Sequence, residues 1–207
     1  MSTALRLALA KGRLYDGAVL RLAAAGITMA GDPGRKLLID TSDAGLQVLV
    51  VKPGDVPVYV ESGAADLGVT GSDVLREADA DVLEPLDLGF GACRLVVAAP
   101  AATSYPNLTH GSTPRVASKY PRLARAHFAA MGRAVEVIEI SGSVEVAPLL
   151  GLADWIVDLV DTGNTLRANG LTERAIILQS SAILVANRAS QKLKLDAHLR
   201  FMKRLAG

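Results

Sequence analysis

At 207 residues the chain has room for one large domain or two small ones. Half of it is hydrophobic and only 4% aromatic, so Ala, Val, Leu and Ile must build the core, which favours an α/β protein with buried strands. A formal net charge of +1 supplies no broad basic field, so nucleic acid is not an expected partner and any charge that holds a phosphate must be local.

Short apolar runs alternate with helical patterns from the start. Leu5 to Ala10 reads as a strand, and Leu14, Ala18, Leu22 and Ala25 recur at helical spacing until Gly26 stops them. Lys36 to Asp40 and Leu46 to Val51 read as two strands joined by a polar turn. Pro53, Gly54 and Asp55 then open a helix. Asp66 to Thr70 is a strand ending in Gly71-Ser72-Asp73, followed by a short helix and by a strand over Val82 to Leu88.

Gly89-Phe90-Gly91-Ala92 has the composition of a hinge, with a strand from Leu95 to Ala99 beyond it. A second unit follows. Its expected strands are Arg115 to Ser118, Val135 to Ile140 and Asp154 to Leu159. Its helices are Pro121 to Met131, Ser143 to Leu150 and a segment opening around Leu166 and ending near Gly170. Ala175 to Ala186 is one extended apolar run, long enough to return to the first unit. Ser190 to Leu205 is an amphipathic helix, with Leu195, Leu199 and Met202 on one face.

Such alternation argues for parallel or mixed sheets covered by helices. The expected organisation is two α/β lobes around a central cleft. The first spans 1–91 plus 180–207 and the second 92–179. Ligands of open α/β sheets sit beyond the carboxyl ends of strands. Three turns hold that position: Lys11-Gly12-Arg13, Gly71-Ser72-Asp73 and Asp161-Thr162-Gly163-Asn164-Thr165.

The last of these carries the most chemistry. An apolar strand delivers the carboxylate of Asp158 and then turns through two threonines and a glycine into a helix. Backbone N–H groups, two hydroxyls and a helix start suit a phosphate, while an upstream carboxylate suits sugar hydroxyls. The same residues also suit a plain strand-to-helix turn with Asp161 or Thr162 as N-cap. Lys11 and Arg13 follow the first strand and fit a pyrophosphate or polyphosphate. Lys52 repeats that placement, and Arg35 precedes the third strand. Gly142-Ser143-Val144-Glu145 offers Ser143 as an N-cap and Glu145 for a sugar hydroxyl or a hydrated Mg²⁺. Lys119 and Tyr120 stand at another helix entry. No Ser–His or Cys–His pair is evident, and the single cysteine, Cys93, excludes an internal disulfide and points to a reducing compartment. His110, His127 and His198 lack zinc-ligand spacing. MSTALRLALAKGR lacks the apolar core of a secretion signal, and no run approaches the ~20 apolar residues of a membrane span. A cytoplasmic protein without membrane contact is expected.

The segments ALAKGRL, DVPVYVESGAADLGVTGSDVL, GACRL, KYPRLAR, GSVEVAPLLGLAD and DLVDTGNTLRANGL occur in one order across nearly the whole chain. Together they resemble the short form of the ATP phosphoribosyltransferase family, the first enzymes of histidine biosynthesis. The resemblance implies two lobes of periplasmic-binding-protein-like (type II) architecture. It also implies a reaction in which adenine N1 of ATP attacks ribose C1 of phosphoribosyl pyrophosphate and Mg²⁺-bound pyrophosphate leaves. By motif, Asp161, Thr162, Gly163, Asn164 and Thr165 would hold the 5-phosphate, with Asp158 and Glu145 near the ribose hydroxyls or the metal. Lys11, Arg13 and Lys52 would serve catalysis at the pyrophosphate and ATP phosphates. Arg35, Asp73 and Tyr120 would join Lys11 and Arg13 on the ATP side. One departure is Lys52, where the family usually has arginine. Short forms imply a homodimeric catalytic unit and a histidyl-tRNA-synthetase-like regulatory subunit, in a hetero-oligomer expected to be a hetero-octamer.

Two other readings compete. A solute-binding module could share the fold, although strand-end cations and a phosphate-type turn favour an anionic substrate. A phosphoribosyltransferase for another base would use the same turn.

Overall fold

The computed structural model describes residues 4–31, 38–106 and 113–206. Alternation within the strands explains its layers. In β1 (Leu5–Ala10), Leu5, Leu7 and Leu9 face one apolar cluster while Ala8 and Ala10 face another. A strand buried on both faces needs helices on both sides of its sheet. α1 (Tyr15–Ala24) contributes Ala18 and Leu22 to the first cluster. The second receives Val56 and Val60 from α2 (Val56–Glu61) and Leu75 from α3 (Ser72–Ala78).

Besides β1, this sheet contains β2 (Leu38–Asp40), β3 (Leu46–Val51), β4 (Leu67–Gly71), β5 (Leu83–Asp87) and β11 (Ala182–Ala186), in the order β2-β3-β1-β4-β11-β5. β1 runs parallel to β3 and β4, whereas β2 and β11 run antiparallel to their neighbours. Gly68 lets α2 lie close on β4: a Cβ there would stand 2.7 Å from Val56 and 2.8 Å from Val60.

A second sheet has the order β10-β6-β9-β7-β8, formed by β6 (Cys93–Pro100), β7 (Arg115–Ser118), β8 (Glu136–Glu139), β9 (Trp155–Val160) and β10 (Leu171–Ser180). β7, β8 and β9 are parallel; β6 and β10 are antiparallel to their neighbours. On one face, α4 (Pro121–Ala130) packs Ala124 and Phe128 against Trp155 and Val157. On the other, Val96, Ala98 and Ile156 meet Leu166 of α5 (Asn164–Ala168). Cys93 is a buried thiol of β6 that forms no disulfide among the described residues.

The chain divides into two compact units, residues 1–91 with 181–207 and residues 92–180. Among the described residues no helix is long and apolar enough to cross a membrane.

Several elements depart from the sequence expectations. The extended run 175–186 is two strands, because β10 starts at Leu171, ends at Ser180 and belongs to one sheet, while β11 starts at Ala182 and belongs to the other. The C-terminal helix is broken into α6 (Arg188–Leu193) and α7 (Leu195–Ala206) at Lys194, whose ammonium bonds Asp66 and the Ala4 carbonyl. Only a 3₁₀ turn, Val144–Val146, forms where a helix to Leu150 was expected. Pro148 lacks the N–H that a longer helix would need. Ser143 holds the N-cap position of this turn as expected, but in the left-handed region at φ 51° and without a side-chain capping bond. Of the expected strand over Lys36 to Asp40, residues 36 and 37 lie outside the described residues.

Candidate active site

Parallel strands put their carboxyl ends on one edge of a sheet. In the first unit β1, β3 and β4 end at Ala10, Val51 and Gly71, so Lys11, Lys52 and Ser72 follow along a common edge. Lys11 N–H donates to the Val51 carbonyl at 2.8 Å, which sets the two lysines side by side on the backbone. Lys11, Arg13 and Lys52 are exposed. The Arg13 guanidinium donates to the Gly91 carbonyl at 2.6 Å, so part of its fork is held by its own chain. Asp73 is brought to the same edge but is 1% exposed, inside the first turn of α3. Arg35 lies outside the described residues.

In the second unit β7, β8 and β9 end at Ser118, Glu139 and Val160. The segment after β8, the end of β9 and the turn that follows it line a pocket of about 330 Å³. Glu145, Asp158, Asp161, Thr162, Gly163, Asn164 and Thr165 all line it, together with Leu159, Val160 and Leu166. Every residue expected to hold the phosphoribosyl group is therefore brought to one concavity. Tyr120 is elsewhere: it is buried in the cluster of Phe128 and Trp155, with the Lys119 ammonium 5.7 Å from its ring centre.

The turn itself differs from a side-chain-capped helix start. α5 opens at Asn164, earlier than expected, with Gly163 as N-cap at φ +77° and no capping side chain. Asp161 and Thr162 are thus not spent as caps, and both are exposed. The first helical hydrogen bond runs from Arg167 N–H to the Gly163 carbonyl at 3.1 Å. The N–H groups ahead of it have no partner within the helix. A glycine suits the position for two reasons. Other residues resist that φ, and a Cβ would stand 3.1 Å from the Arg167 guanidinium.

Asp158 is the electrostatic centre of the pocket. Alternation along β9 puts it on the face of Ile156 and Val160, toward α5. Burial pushes its carboxyl above the usual aspartate range. Lys119 and the Leu159 N–H pull it back, and Glu145 adds to the rise. Lys119 stands 3.8 Å away with a half-solvated side chain, a weak counter-ion. A cation or a set of hydroxyl donors beside Asp158 and Glu145 would relieve this. Among the described residues no group of three His, Cys, Asp or Glu side chains could enclose a metal ion. The two carboxylates nevertheless fit Mg²⁺, which takes one or two protein carboxylates and completes its shell with water and substrate phosphate.

Three residues behind the turn were not singled out by sequence reasoning. Arg94 was read only as a neighbour of Cys93, and Glu173 and Arg167 carried no signal, because Arg94 and Glu173 lie 79 positions apart. Their side chains meet only when β6, β10 and α5 come together.

Comparison with known proteins agrees with this picture. The family model described as HisG, ATP phosphoribosyltransferase, matches residues 52–207. An ATP phosphoribosyltransferase of Halorhodospira halophila is 53% identical over 199 residues, covering 95% of this chain and 91% of that protein. The ATP phosphoribosyl transferase (HisG:HisZ) complex from Thermotoga maritima contains a chain that superposes with a TM-score of 0.87 at 31% identity, covering 98% of this chain and 96% of that one. The periplasmic aliphatic sulphonate binding protein SsuA from Escherichia coli shares the fold, with a TM-score of 0.58 at 15% identity over 98% of this chain and 71% of that one. With α/β units of periplasmic-binding-protein type and this identity over nearly its whole length, the chain belongs to the ATP phosphoribosyltransferase family, the pentosyltransferases of histidine biosynthesis.

Proposed function

We propose that the pocket of the second unit holds the phosphoribosyl group while the strand-end cations of the first unit meet pyrophosphate and the phosphates of ATP. The observation that carries this reading is the gathering of Glu145, Asp158 and residues 161–165 around one pocket. Thr162, Thr165 and the N–H groups of the turn would bind the 5-phosphate, with Asp161 and Asn164 framing it. Asp158 and Glu145 would accept hydrogen bonds from the ribose hydroxyls and hold Mg²⁺ carried in with pyrophosphate, which neutralises charge on the leaving group.

The chemistry suits these groups. Adenine N1 is a neutral nucleophile with no proton to lose, so a general base is not required. The barrier lies in oxocarbenium-like charge on the ribose and negative charge on the departing pyrophosphate. Carboxylates near the sugar and Lys11, Arg13 and Lys52 near the pyrophosphate would act on those two charges, and both would gain from preorganisation.

The reading extends to a short-form enzyme that works in the cytoplasm with a histidyl-tRNA-synthetase-like regulatory subunit. Its support is the likeness to a chain of the HisG:HisZ complex from Thermotoga maritima. The deciding experiment incubates the chain with ATP, phosphoribosyl pyrophosphate and Mg²⁺, with and without that subunit. Pyrophosphate release together with a phosphoribosyl-ATP adduct by mass is expected. Binding of both substrates without turnover, with the subunit present, would favour a binding module instead.

A further inference from the structure

Two arginines grip the turn 161–165 from the side of its carbonyl groups. Arg94, at the start of β6, donates from Nη1 to the Asp161 carbonyl at 2.9 Å. Arg167, in α5, donates from Nη2 to the Thr162 carbonyl at 3.1 Å and to Asn164 Oδ1 at 2.6 Å. Each carbonyl belongs to a peptide plane whose N–H is on the next residue. In a trans peptide the N–H points opposite to the C=O. Holding the Asp161 carbonyl therefore sets the direction of the Thr162 N–H, and holding the Thr162 carbonyl sets that of Gly163. Neither N–H has an acceptor among the described residues.

Glu173 completes the device. Its carboxylate takes two bonds from Arg94, Nε to Oε2 at 2.9 Å and Nη2 to Oε1 at 2.5 Å. The guanidinium fork is thereby fixed in the plane that reaches Asp161. This pairing does not follow from the strand ladder, which sets Arg94 opposite Gln179 and Glu173 opposite Ala98. It follows from sheet alternation: Arg94 shares a face with Val96 and Ala98, and Glu173 with Leu171, the face that α5 covers. Arg167 and Glu173 also converge on Gly163, where an added Cβ would lie 3.1 Å from one and 3.4 Å from the other.

We infer that Arg94 and Arg167 are positioning residues: bound to carbonyls, they aim the N–H groups of Thr162 and Gly163 at the 5-phosphate, with Glu173 holding Arg94 in place. This rests on the phosphoribosyl reading of the turn. It also separates these arginines from Lys11, Arg13 and Lys52, whose charge is directed at substrate.

The test compares Arg94→Lys, Arg167→Met and Glu173→Gln by equilibrium binding of phosphoribosyl pyrophosphate, steady-state kinetics for both substrates and Tm, with Gly163→Val as reference. Lysine keeps the charge of Arg94 but cannot bond Glu173 twice and Asp161 at once. Loss of one charge-assisted bond at the turn should raise Kd and KM for phosphoribosyl pyrophosphate by about tenfold. KM for ATP should stay within about twofold, and Tm should not follow the loss of affinity. Retained affinity in both Arg94→Lys and Arg167→Met would overturn the inference. If Gly163→Val alone weakens phosphoribosyl pyrophosphate, the turn keeps its role and only the arginine grip is wrong. If Gly163→Val also leaves affinity unchanged, the reading of the turn itself fails. Should Arg94→Lys not fold, Arg167→Met on the exposed side of α5 decides the matter.

Discussion

Asp66, just ahead of β4 in the first unit, and Asp158, within β9 in the second, are both largely withdrawn from solvent on a central strand, yet their surroundings treat them oppositely. Burial pushes the Asp66 carboxyl up, but Lys194, Ser190 and the Arg6 N–H all donate to it, and it ends below the usual range. Burial also pushes Asp158 up, and there the donors are too few to reverse it. One carboxylate is saturated by the fold. The other is left with capacity for a ligand. Perturbed, under-satisfied groups in pockets are where proteins trade stability for function.

The saturated cluster ties the C-terminal helices to the first sheet. Ser190 stands between Asp66 and His198, and Asn187 caps α6 by accepting from Ser190 N–H while donating to the Val60 and Glu61 carbonyls. Removing Asp66 strands the ammonium of Lys194. We expect Asp66→Ala to cost about 3 kcal/mol, at the low end for a broken buried pair because Lys194 is partly solvated. For a chain of this size that lowers Tm by about 6–12 °C. A thermal melt showing less than about 2 °C would mean that the cluster is not structural.

Asp158→Asn should behave in the opposite way. The amide removes a carboxylate that burial disfavours, so Tm should hold or rise by about 2–4 °C for each kcal/mol recovered. Affinity for phosphoribosyl pyrophosphate should fall by about tenfold or more through the lost hydrogen bonds. A Tm loss as large as that of Asp66→Ala, with affinity intact, would erase the contrast between the two sites.

The smallest expected effect is on pH dependence. Burial lowers the His198 pKa below 6.5; Asp66 pulls it up and Lys194 pushes it down, and Nδ1 has no partner. The fold disfavours the imidazolium, while the unfolded chain takes up a proton near 6.5. Stability is therefore full above that value and declines as pH falls through it toward the folded pKa. His127, lowered by burial alone, adds in the same direction. The lowered Asp66 acts in a separate window, present above 3.8 and lost below it. Urea midpoints should drop between pH 7.5 and 5.5, less so in His198→Gln. An unchanged pH profile in that variant would remove His198 from the account.

What the sequence by itself determined was local and periodic. β1, β3, β4 and β9 were legible because buried parallel strands are mostly apolar runs, and the turn 161–165 because glycine, threonines and a carboxylate cluster within a few positions. The six ordered segments carried the family, which the comparisons confirm. Tertiary structure decided whatever depends on distant pairing. Only sheet assembly could split the run 175–186 between two sheets, since residues 175–178 and 182–186 are both apolar and only Gln179, Ser180 and Ser181 lie between them. The break at Lys194 became visible only when Asp66, 128 positions away, supplied its partner. Arg94 and Glu173 meet behind the turn for the same reason. Periodicity reports which face a residue occupies, and it cannot report which residues of another strand arrive at that face.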